Sequence, residues 1–569
     1  MNCIIVDDEP LAREAMKLLI EESDNLQLIG SFNSAATASD FMEQQGVDLV
    51  FLDIQMPGIT GIEFARTISK KTLVIFTTAY TEYALDSYEV DAIDYLIKPV
   101  EAERFQKAVD KALSYHSLLL KEEKEAIEQR QEAIRELSSE LEFRQQFRLL
   151  GLLYKGKPSD TSEIKEWVNS PSDYRKHAFL RILPTAVGII NLLCIGATIL
   201  GFLPASISGI VFACFVVFSF IFSKGITKIQ ATYGEKLQIL STYADQILIT
   251  EKKEMHSPAL QQLKAELTSQ NQTASQSVHR LAKLMNALDQ RGNLLMSTIL
   301  NGLLFWELRQ VMQIEKWKEA HSADLPRWIE AIGAIDAYCS LATFSYNHPD
   351  YIYPQITSQS FHLQAEALGH PLMDRNKCVR NGIDMEKRPF FIIITGANMA
   401  GKSTYLRTVG VNYLLACIGA PVWAAKMEIF PARLVTSLRT SDSLTDNESY
   451  FFAELKRLKL IIDKLKAGEE LFIILDEILK GTNSMDKQKG SFALIKQFMS
   501  MDANGIIATH DLLLGTLIDA FPQNIRNYCF EADITNNELT FSYQMRSGVA
   551  QNMNACFLMK KMGIAVIDG

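Results

Sequence analysis

The segment ITGANMAGKSTYLR, residues 394–407, decides the fold of the C-terminal part of this 569-residue chain. Gly396, Gly401, Lys402 and Ser403 fit the pattern G-x-x-x-x-G-K-[ST], and the apolar run FFIII precedes them. The pattern predicts a strand, a phosphate-binding loop and a helix, with backbone N–H groups surrounding the phosphates of a nucleotide. Lys402 would contact the β- and γ-phosphates, and the Ser403 hydroxyl would bind Mg²⁺. The loop residues expected to contact the nucleotide are Gly396, Ala397, Asn398, Met399, Ala400, Gly401, Lys402, Ser403 and Thr404.

Two further apolar segments end in residues suited to nucleotide hydrolysis. ELFIILDE, residues 470–477, ends in Asp476 and Glu477, and GIIATHD, residues 505–511, contains His510. We expect Asp476 to reach the Mg²⁺ ion and Glu477 to polarise the attacking water. His510 lies where a sensor of the γ-phosphate is expected. Either segment alone is a weak signal, but the ordered set predicts a nucleotide hydrolase.

The C-terminal segments resemble the MutS family. TGANMAGKSTYLR is similar to the phosphate loop of that family, and ALGHPLM, CVRNGI, IGAPVWA, SYFFAEL, LDEILKGTNSMD and ATHD occur in the family's order. The resemblance implies a P-loop NTPase domain of MutS/ABC type over residues 366–569, with ATP and Mg²⁺ as cofactors and Lys402, Glu477 and His510 as catalytic residues. It also implies a head-to-tail homodimer, in which Ser449 is offered to the partner's nucleotide and Asp486 lies on the dimer side.

The N-terminal residues 1–115 alternate short apolar runs with amphipathic segments, which predicts a doubly wound α/β domain with a parallel sheet. Asp7 and Asp8 follow the first run, and Asp53 ends the run DLVFLD. Because the carboxyl ends of parallel strands meet at one edge of a sheet, these three carboxylates should converge. Oxygen ligands suit Mg²⁺, so we expect a metal site there.

This N-terminal region resembles the receiver domain of bacterial response regulators, of the kind that precedes a LytTR DNA-binding domain. The pieces that carry the likeness are VDDE, LDIQMPGITG, FTTAY and DYLIKP. The resemblance implies that a histidine kinase or another phosphodonor phosphorylates Asp53, and that Asp7 and Asp8 hold Mg²⁺. It further implies that Thr78 and Lys98 contact the phosphoryl oxygens and that Tyr95 is the switch aromatic.

An uncharged stretch of 42 residues lies between Arg181 and Lys224. A bilayer core takes about 20 helical residues, so this stretch predicts a two-span transmembrane hairpin over residues 178–223, with its turn near Gly201. Both flanks are basic, which places both ends and the soluble domains in the cytoplasm at the inner membrane. The alternative is a buried helical hairpin of a soluble domain.

The remaining segments are predicted to be helical. Residues 116–150 form a charged linker in which Ile127, Ile134 and Leu141 recur at intervals of seven, and either a short coiled coil or a solvated helix fits that pattern. Residues 224–365 read as a mostly helical segment, similar to a reduced MutS core and lever. The whole chain is therefore of the α/β class with a helical middle.

Charge gives little support for DNA binding. The net charge is −10, and residues 1–115 carry 9 Lys and Arg against 20 Asp and Glu. Residues 224–380 carry 16 Lys and Arg against 15 Asp and Glu, whereas DNA affinity depends on neutralising phosphates. Mismatch sensors of the MutS family also use an F-x-E wedge. The F-x-E matches at Phe41 and Phe305 are interpreted as ordinary helix residues.

Together these features predict a membrane-anchored, MutS-like ATPase that works as a dimer and is regulated through its receiver domain. Three alternatives remain open at this stage. The chain could be a mismatch-binding ATPase of DNA repair, a non-enzymatic signalling scaffold, or an artefactual join of two neighbouring genes. The eight cysteines include no C-x-x-C pair, which is typical of free thiols in a reducing cytoplasm.

Overall fold

The computed structural model describes the whole chain except residues 24, 43–46, 69–71, 80–91, 154–160, 238, 269–272, 290–293, 359–360, 398, 439–449, 467–468, 480–482, 536–537 and 552–569. The chain divides into two units. The first unit contains Met1–Gln131 together with Asp350–Gly569, and the second contains Glu132–Pro349.

The first 100 residues form the predicted doubly wound sheet. Its strands run parallel in the order β2-β1-β3-β4-β5. Alternate side chains of β1 enter two separate cores, Cys3 and Ile5 on one face and Ile4 and Val6 on the other, as expected for a sheet covered on both sides. The elements are β1 (Asn2–Val6), α1 (Pro10–Glu21), β2 (Gln27–Phe32), α2 (Ala35–Met42), β3 (Leu49–Asp53), α3 (Gly61–Ala65), β4 (Leu73–Thr78) and β5 (Asp94–Ile97).

A single long helix, α4 (Ala102–Ser139), leaves this domain. Its first turns contribute Phe105 and Val109 to the core under the sheet. Further along, Ile127 is buried in the core of the C-terminal domain, and Gln131 donates a hydrogen bond from Nε2 to the carbonyl of Pro354 at 2.9 Å. Of the two alternatives that the sequence left open for this segment, the solvated helix does not fit these contacts, because Ile127 and Ile134 are buried inside this chain.

The second unit is helical in its described parts, as predicted. Helices α7 and α8 form the apolar hairpin. The spans Ala178–Ile199 and Ala205–Phe222 have mean hydropathies of 2.0 and 2.4 and are long and apolar enough to cross a membrane. None of the second span is buried by the protein, unlike the core helix of a soluble domain. The helices are α5 (Leu141–Leu153), α6 (Thr161–Asn169), α7 (Ala178–Ile199), α8 (Ala205–Leu237), α9 (Ile239–Lys252), α10 (Pro258–Glu266), α11 (Ala274–Asp289), α12 (Leu294–Leu304), α13 (Trp306–His321) and α14 (Asp324–Asn347).

Phe305 is not the ordinary helix residue that its apolar surroundings predicted. It separates α12 from α13 and has a left-handed backbone with a φ of 48°. Such a φ is uncommon for a bulky residue and requires support from its surroundings. Phe305 is 1% exposed, so packing around its ring provides that support.

The C-terminal domain is built on a second α/β sheet. Its order is β11-β12-β13-β9-β14-β15, in which the first five strands are parallel and β15 pairs antiparallel with β14. A smaller sheet has the order β6-β10-β7-β8. The elements are β6 (Gln355–Ile356), β7 (Leu363–Leu368), β8 (Asn381–Met385), β9 (Phe390–Gly396), α15 (Lys402–Cys417), β10 (Lys426–Ile429), β11 (Arg433–Ser437), α16 (Tyr450–Lys466), β12 (Leu471–Asp476), α17 (Ser484–Ser500), β13 (Asn504–Thr509), α18 (Leu517–Ala520), β14 (Ile525–Thr535) and β15 (Glu538–Ser547).

The chain just beyond α15 lies against α4. Gly419 has a φ of 85°, and a Cβ built there would lie 2.8 Å from Cβ of Arg130 and 3.2 Å from the backbone nitrogen of Gln131. Only glycine allows so close an approach with this backbone conformation. Burial also raises the pKa of the Cys417 thiol, in the last turn of α15, to about 12. The helix that begins at Lys402 therefore ends at a tight contact with the long helix α4.

The contact at Gly419 should be sensitive to a single methyl group. Gly419→Ala is expected to destabilise the protein by about 2–4 kcal/mol, since it adds left-handed strain to overpacking against α4. Gly333→Ala is a matched control, because Gly333 lies within α14 and a Cβ there meets nothing within 4 Å. The control should stabilise the protein by roughly 0.5–1 kcal/mol. Urea unfolding in detergent measures the change in the free energy of unfolding for both variants. Equal changes in the two variants would refute the close packing of Gly419 against α4.

Candidate functional site

Three parallel strands of the C-terminal sheet end at the same edge. Strand β13 lies between β12 and β9, so that Asp476 pairs with Ala508 and Thr509 pairs with Thr395. Gly396 is the last residue of β9, and Asp476 is the last residue of β12. The residues that the sequence analysis singled out therefore follow neighbouring strand ends, where open α/β sheets bind their ligands.

The loop from Gly396 to Gly401 leads from β9 into the first turn of α15. Gly396 and Gly401 have φ values of 145° and 108°, and Met399 also has a positive φ, of 67°. The loop ends at the N-terminus of a 16-residue helix, where free N–H groups and the helix dipole favour an anion. Lys402 is 5% exposed, and its Nζ donates hydrogen bonds to the carbonyls of Gly396 at 2.7 Å and Ala397 at 2.9 Å. Asn398 lies outside the described residues.

Asp476 is a buried carboxylate with an oxygen available for a ligand. Its side chain is 6% exposed, and Oδ1 has no hydrogen-bond partner among the described residues. A buried carboxylate oxygen without a partner is costly unless a cation or donor satisfies it. Carboxylate and hydroxyl oxygens are ligands that Mg²⁺ accepts, so Asp476 and Ser403 fit a Mg²⁺ ion chemically.

The side chains of Glu477 and His510 are in contact at this edge. Oε1 of Glu477 lies 2.7 Å from Nε2 of His510, and both side chains are only partly exposed. Glu477 has a φ of 51°, and its backbone N–H donates to the carbonyl of Ala508 at 2.8 Å. Strained backbone of this kind is concentrated at functional sites. The structure thus brings together the two residues that the sequence analysis named as water-polarising base and sensor.

Two residues near this edge were missed by the sequence analysis. Glu454 is 5% exposed and accepts a hydrogen bond from the backbone N–H of Leu479 at 2.7 Å, which fixes the segment that follows Glu477. Glu454 lies in the quoted motif SYFFAEL, which was interpreted only for Ser449. The ring of Tyr543, on β15, lies beside the loop, because a Cβ at Gly401 would be 3.1 Å from Cδ1 of Tyr543. Nothing in the local sequence indicates that contact.

The resemblance places two residues, Ser449 and Asp486, at a dimer interface, and the structure describes only one of them. Ser449 lies outside the described residues. Asp486 is exposed in the first turn of α17, where its backbone N–H donates to Oδ1 of Asn483 at 2.8 Å and its side chain accepts from the Asn483 amide at 2.6 Å. Asp486 is thus on the surface and accessible to a second chain.

The N-terminal sheet carries a separate acidic site. Carboxylate oxygens of Asp7, Asp8 and Asp53 lie within 4.8 Å of one another, and Asp7 and Asp53 are 0% and 5% exposed. Nζ of Lys98 lies 2.7 Å from Oδ2 of Asp7 and 3.0 Å from Oδ2 of Asp53. Burial raises the pKa of Asp53 against the opposing effect of Lys98. Burial alone would lower the pKa of Lys98, but its bonds to Asp7 and Asp53 outweigh burial and raise it. The three carboxylates fit a divalent cation, which would compensate their repulsion.

The other receiver positions flank this cluster. Thr78 is buried at the end of β4, and its carbonyl accepts a hydrogen bond from the backbone N–H of Lys98 at 2.8 Å. Tyr95, on β5, is 37% exposed. Arg104, in the first turns of α4, donates to the carbonyl of Tyr95 at 3.1 Å and to both oxygens of Asp94. The beginning of α4 is therefore bonded to the strand that carries Tyr95 and leads to Lys98.

Comparison with known families matches both ends of the chain. The response regulator receiver domain matches residues 3–110, and MutS domain V matches residues 392–565.

Individual relatives likewise match one end or the other. A DNA mismatch repair protein MutS from Thermotoga neapolitana is 31% identical over 234 residues, which are 40% of this chain and 28% of the relative. An uncharacterized response regulatory protein from Vibrio cholerae is 42% identical over 118 residues, 20% of this chain and 50% of the relative. The transcriptional regulatory protein BtsR from Salmonella typhi is 38% identical over 111 residues, 19% of this chain and 46% of the relative. The chain thus spans about half the length of these regulators and less than a third of that MutS protein. It carries a response regulator receiver domain at its N-terminus and a MutS domain V at its C-terminus.

Proposed function

We propose that this protein is a membrane-anchored ATP hydrolase of MutS type that works as a homodimer and is regulated by phosphorylation of its receiver domain. The observation that carries the proposal is the buried Oδ1 of Asp476, which has no hydrogen-bond partner among the described residues and lies at the sheet edge that also carries the Lys402 loop. A buried carboxylate oxygen of this kind is a ready ligand for Mg²⁺.

The residues at this edge suit hydrolysis of a bound nucleotide. The Lys402 ammonium donates hydrogen bonds to two loop carbonyls, and phosphate oxygens can replace these carbonyls as acceptors. Asp476 and Ser403 would hold Mg²⁺, which neutralises phosphate charge when bound. Glu477 would take up the proton of the attacking water, and His510 positions its carboxylate at 2.7 Å. A base of this type contributes on the order of 10²–10⁴-fold to a hydrolysis rate.

Exposed apolar side chains of the C-terminal domain favour a dimer. Met399 in the loop, Phe452 in α16 and Met485 in α17 are 82%, 51% and 64% exposed. A patch of large exposed apolar side chains is typical of a surface that a partner covers. A second copy of the chain is the partner that the MutS resemblance implies.

The contacts of α4 support a route from the receiver to the proposed nucleotide site. Arg104 bonds α4 to Asp94 and Tyr95, close to the Asp53–Lys98 pair. The same helix buries Ile127 in the C-terminal core and contacts Gly419, beyond the end of α15. Helix α15 begins at Lys402. A shift of α4 on phosphorylation of Asp53 would therefore reach the phosphate loop through two helices.

The apolar hairpin would anchor the chain in the inner membrane. Basic residues flank both ends of the hairpin, which supports an arrangement with the soluble domains in the cytoplasm.

Hydrolysis of ATP should depend on Lys402 and Glu477. Lys402→Ala is expected to abolish nucleotide binding, since the charge partner of the phosphates is lost. Glu477→Gln should keep binding and slow turnover by roughly 10²-fold or more. Lys489→Ala, which removes an exposed lysine of α17, is the matched control and should hydrolyse ATP at the wild-type rate. Phosphate release and nucleotide binding measure the two effects. Wild-type protein that binds no nucleotide would favour the scaffold alternative.

Phosphorylation should be confined to Asp53. A small phosphodonor with Mg²⁺ is expected to give one acid-stable, base-labile modification on wild type and none on Asp53→Asn, as measured by intact mass. Asp40→Asn changes an exposed aspartate of α2 and should be labelled normally. Equal labelling of Asp53→Asn and wild type would remove Asp53 as the acceptor.

The same preparations test the route through α4. Ile127→Ala removes a buried contact between α4 and the C-terminal core. In this variant, the rate of ATP hydrolysis with phosphodonor, divided by the rate without it, should therefore approach one. Labelling at Asp53 and basal hydrolysis should persist. A wild-type ratio in this variant would mean that the signal takes another path.

DNA mismatch binding is the second candidate, favoured by the repair proteins among the relatives. We expect weak, salt-dependent DNA binding without mismatch preference, because residues 224–380 are nearly neutral in charge. Matched and mismatched duplexes should be compared at physiological salt, with and without ATP. A preference of about tenfold, or 1.4 kcal/mol, for the mismatch would promote the repair function over the membrane ATPase.

A further inference from the structure

Helix α12 is a second apolar feature of the helical unit, separate from the hairpin. No charge occurs in the 15 residues between Arg291 and Glu307. The helix itself has the sequence LLMSTILNGLL and 11 residues, which corresponds to about 16 Å. A bilayer core is about 30 Å thick, so α12 is too short to cross it.

Asn191 of α7 holds the C-terminal end of α12. The Asn191 side chain is 5% exposed, and its Nδ2 lies 3.0 Å from the carbonyl oxygen of Gly302 and 3.1 Å from that of Leu303. The last carbonyls of a helix have no partner within the helix, so the amide satisfies groups that hydrocarbon could not. A Cβ at Gly302 would collide with the ring of Phe212 and lie 2.6 Å from Cγ2 of Val216. Helix α12 thus packs tightly on both helices of the hairpin.

The chain reverses direction at Phe305. Oγ of Ser297 donates to Oε1 of Glu307 at 2.9 Å, although ten residues separate them, so the beginning of α13 lies alongside α12. The Phe305 ring packs among Phe215, Phe218 and Phe222, with centroid distances of 6.1, 5.8 and 6.3 Å. The beginning of α13 therefore turns back along α12, as in a re-entrant segment.

The depth of this turn follows from Asn191. Asn191 lies ten residues beyond Arg181, the last charged residue before the uncharged stretch of the hairpin. Ten residues span about 15 Å along a helix, which reaches the middle of a bilayer core.

The outer face of α12 is apolar and exposed. Leu295, Met296 and Ile299 are 77%, 56% and 46% exposed. Leu192 is 71% exposed and lies on α7, a candidate span against which α12 packs. Acyl chains that cover Leu192 would therefore extend over the neighbouring face of α12.

We propose that α12 is a third membrane-embedded element, which dips from the cytoplasmic leaflet to the bilayer centre, is held there by Asn191, and takes up lipid acyl chains on its exposed face. This proposal rests on the membrane anchoring proposed above. Lipid is the expected occupant because the α12 face adjoins the candidate spans.

Three cysteine variants of the full-length protein in liposomes test the proposal. Ile299→Cys probes the exposed face of α12, Leu192→Cys probes the hairpin, and Ala320→Cys probes an exposed position of α13 outside the apolar region. A water-soluble maleimide is added to vesicles made permeable to it, and labelling is read by mass spectrometry on the peptide that carries each position. We expect labelling of Ala320→Cys only, and labelling of all three after denaturation in dodecyl sulfate.

The outcomes distinguish this proposal from the anchoring on which it rests. Labelling of Ile299→Cys with protection of Leu192→Cys would overturn the α12 proposal and leave the anchor intact. Labelling of both would overturn the anchor and the α12 proposal together. Oxidation that links Ile299→Cys into a covalent dimer would identify a second copy, and not lipid, as the occupant.

The role of Asn191 has its own test. Asn191→Leu removes the amide that holds α12 and keeps the hairpin apolar, so Ile299→Cys should become several-fold more reactive while Leu192→Cys stays protected. Thr198→Val is the matched control, because the Thr198 hydroxyl bonds only within the hairpin among the contacts described for it, to Cys194 and Ser208. If the Ile299→Cys thiol is equally reactive with and without the Asn191→Leu change, Asn191 does not hold α12 in place.

Discussion

Helix α4 belongs to two hydrophobic cores at once, and the relation between the two recognised domains depends on it. Phe105 and Ile127 lie 22 positions apart on one uninterrupted helix and are each about 2% exposed, in the receiver core and the C-terminal core respectively. A helix of that length spans about 33 Å. Burial of each side chain contributes about 1.5–3 kcal/mol, so neither end detaches without a measurable loss. The receiver domain and the C-terminal domain therefore share one helix, which is unexpected for an accidental join of two genes.

The C-terminal sheet edge combines rigid strands with strained connections. Glu477 and Leu479 have positive φ values of 51° and 59°, which cost free energy for residues with side chains. Buried Glu454 holds the N–H of Leu479, and β13 holds the N–H of Glu477. These bonds hold the backbone on both sides of the Glu477–His510 contact. In the proposed hydrolysis, a base held in this way would need little reorganisation, which is a main way in which hydrolytic sites accelerate reactions.

The sequence predicted those features that depend on local pattern and strand order. Asp7 and Asp53 converge because parallel strands end together, and the β9–loop–α15 segment follows from its glycines and flanking apolar run. Partners distant in sequence were not predictable. Ile127 recurs in a heptad, but periodicity shows only that one face is apolar and not which surface covers it. Helix α12 falls below the length that signals a span, and the role proposed for it rests on the contact of Asn191 with Gly302, which the sequence does not indicate.

The proposed membrane anchor and the proposed ATPase dimer suit each other physically. Confinement of the chain to a surface raises its effective concentration, so that a modest interface is sufficient for pairing. A modest interface can also be controlled, since a shift of 1–3 kcal/mol, the usual size of an allosteric coupling, changes the association constant by about 5–150-fold. A strongly dimerising ATPase would not respond to a signal of that size. In the proposed arrangement, the α12 segment holds the helical unit against the bilayer, and α4 carries the receiver's signal to the end of the helix that begins at Lys402.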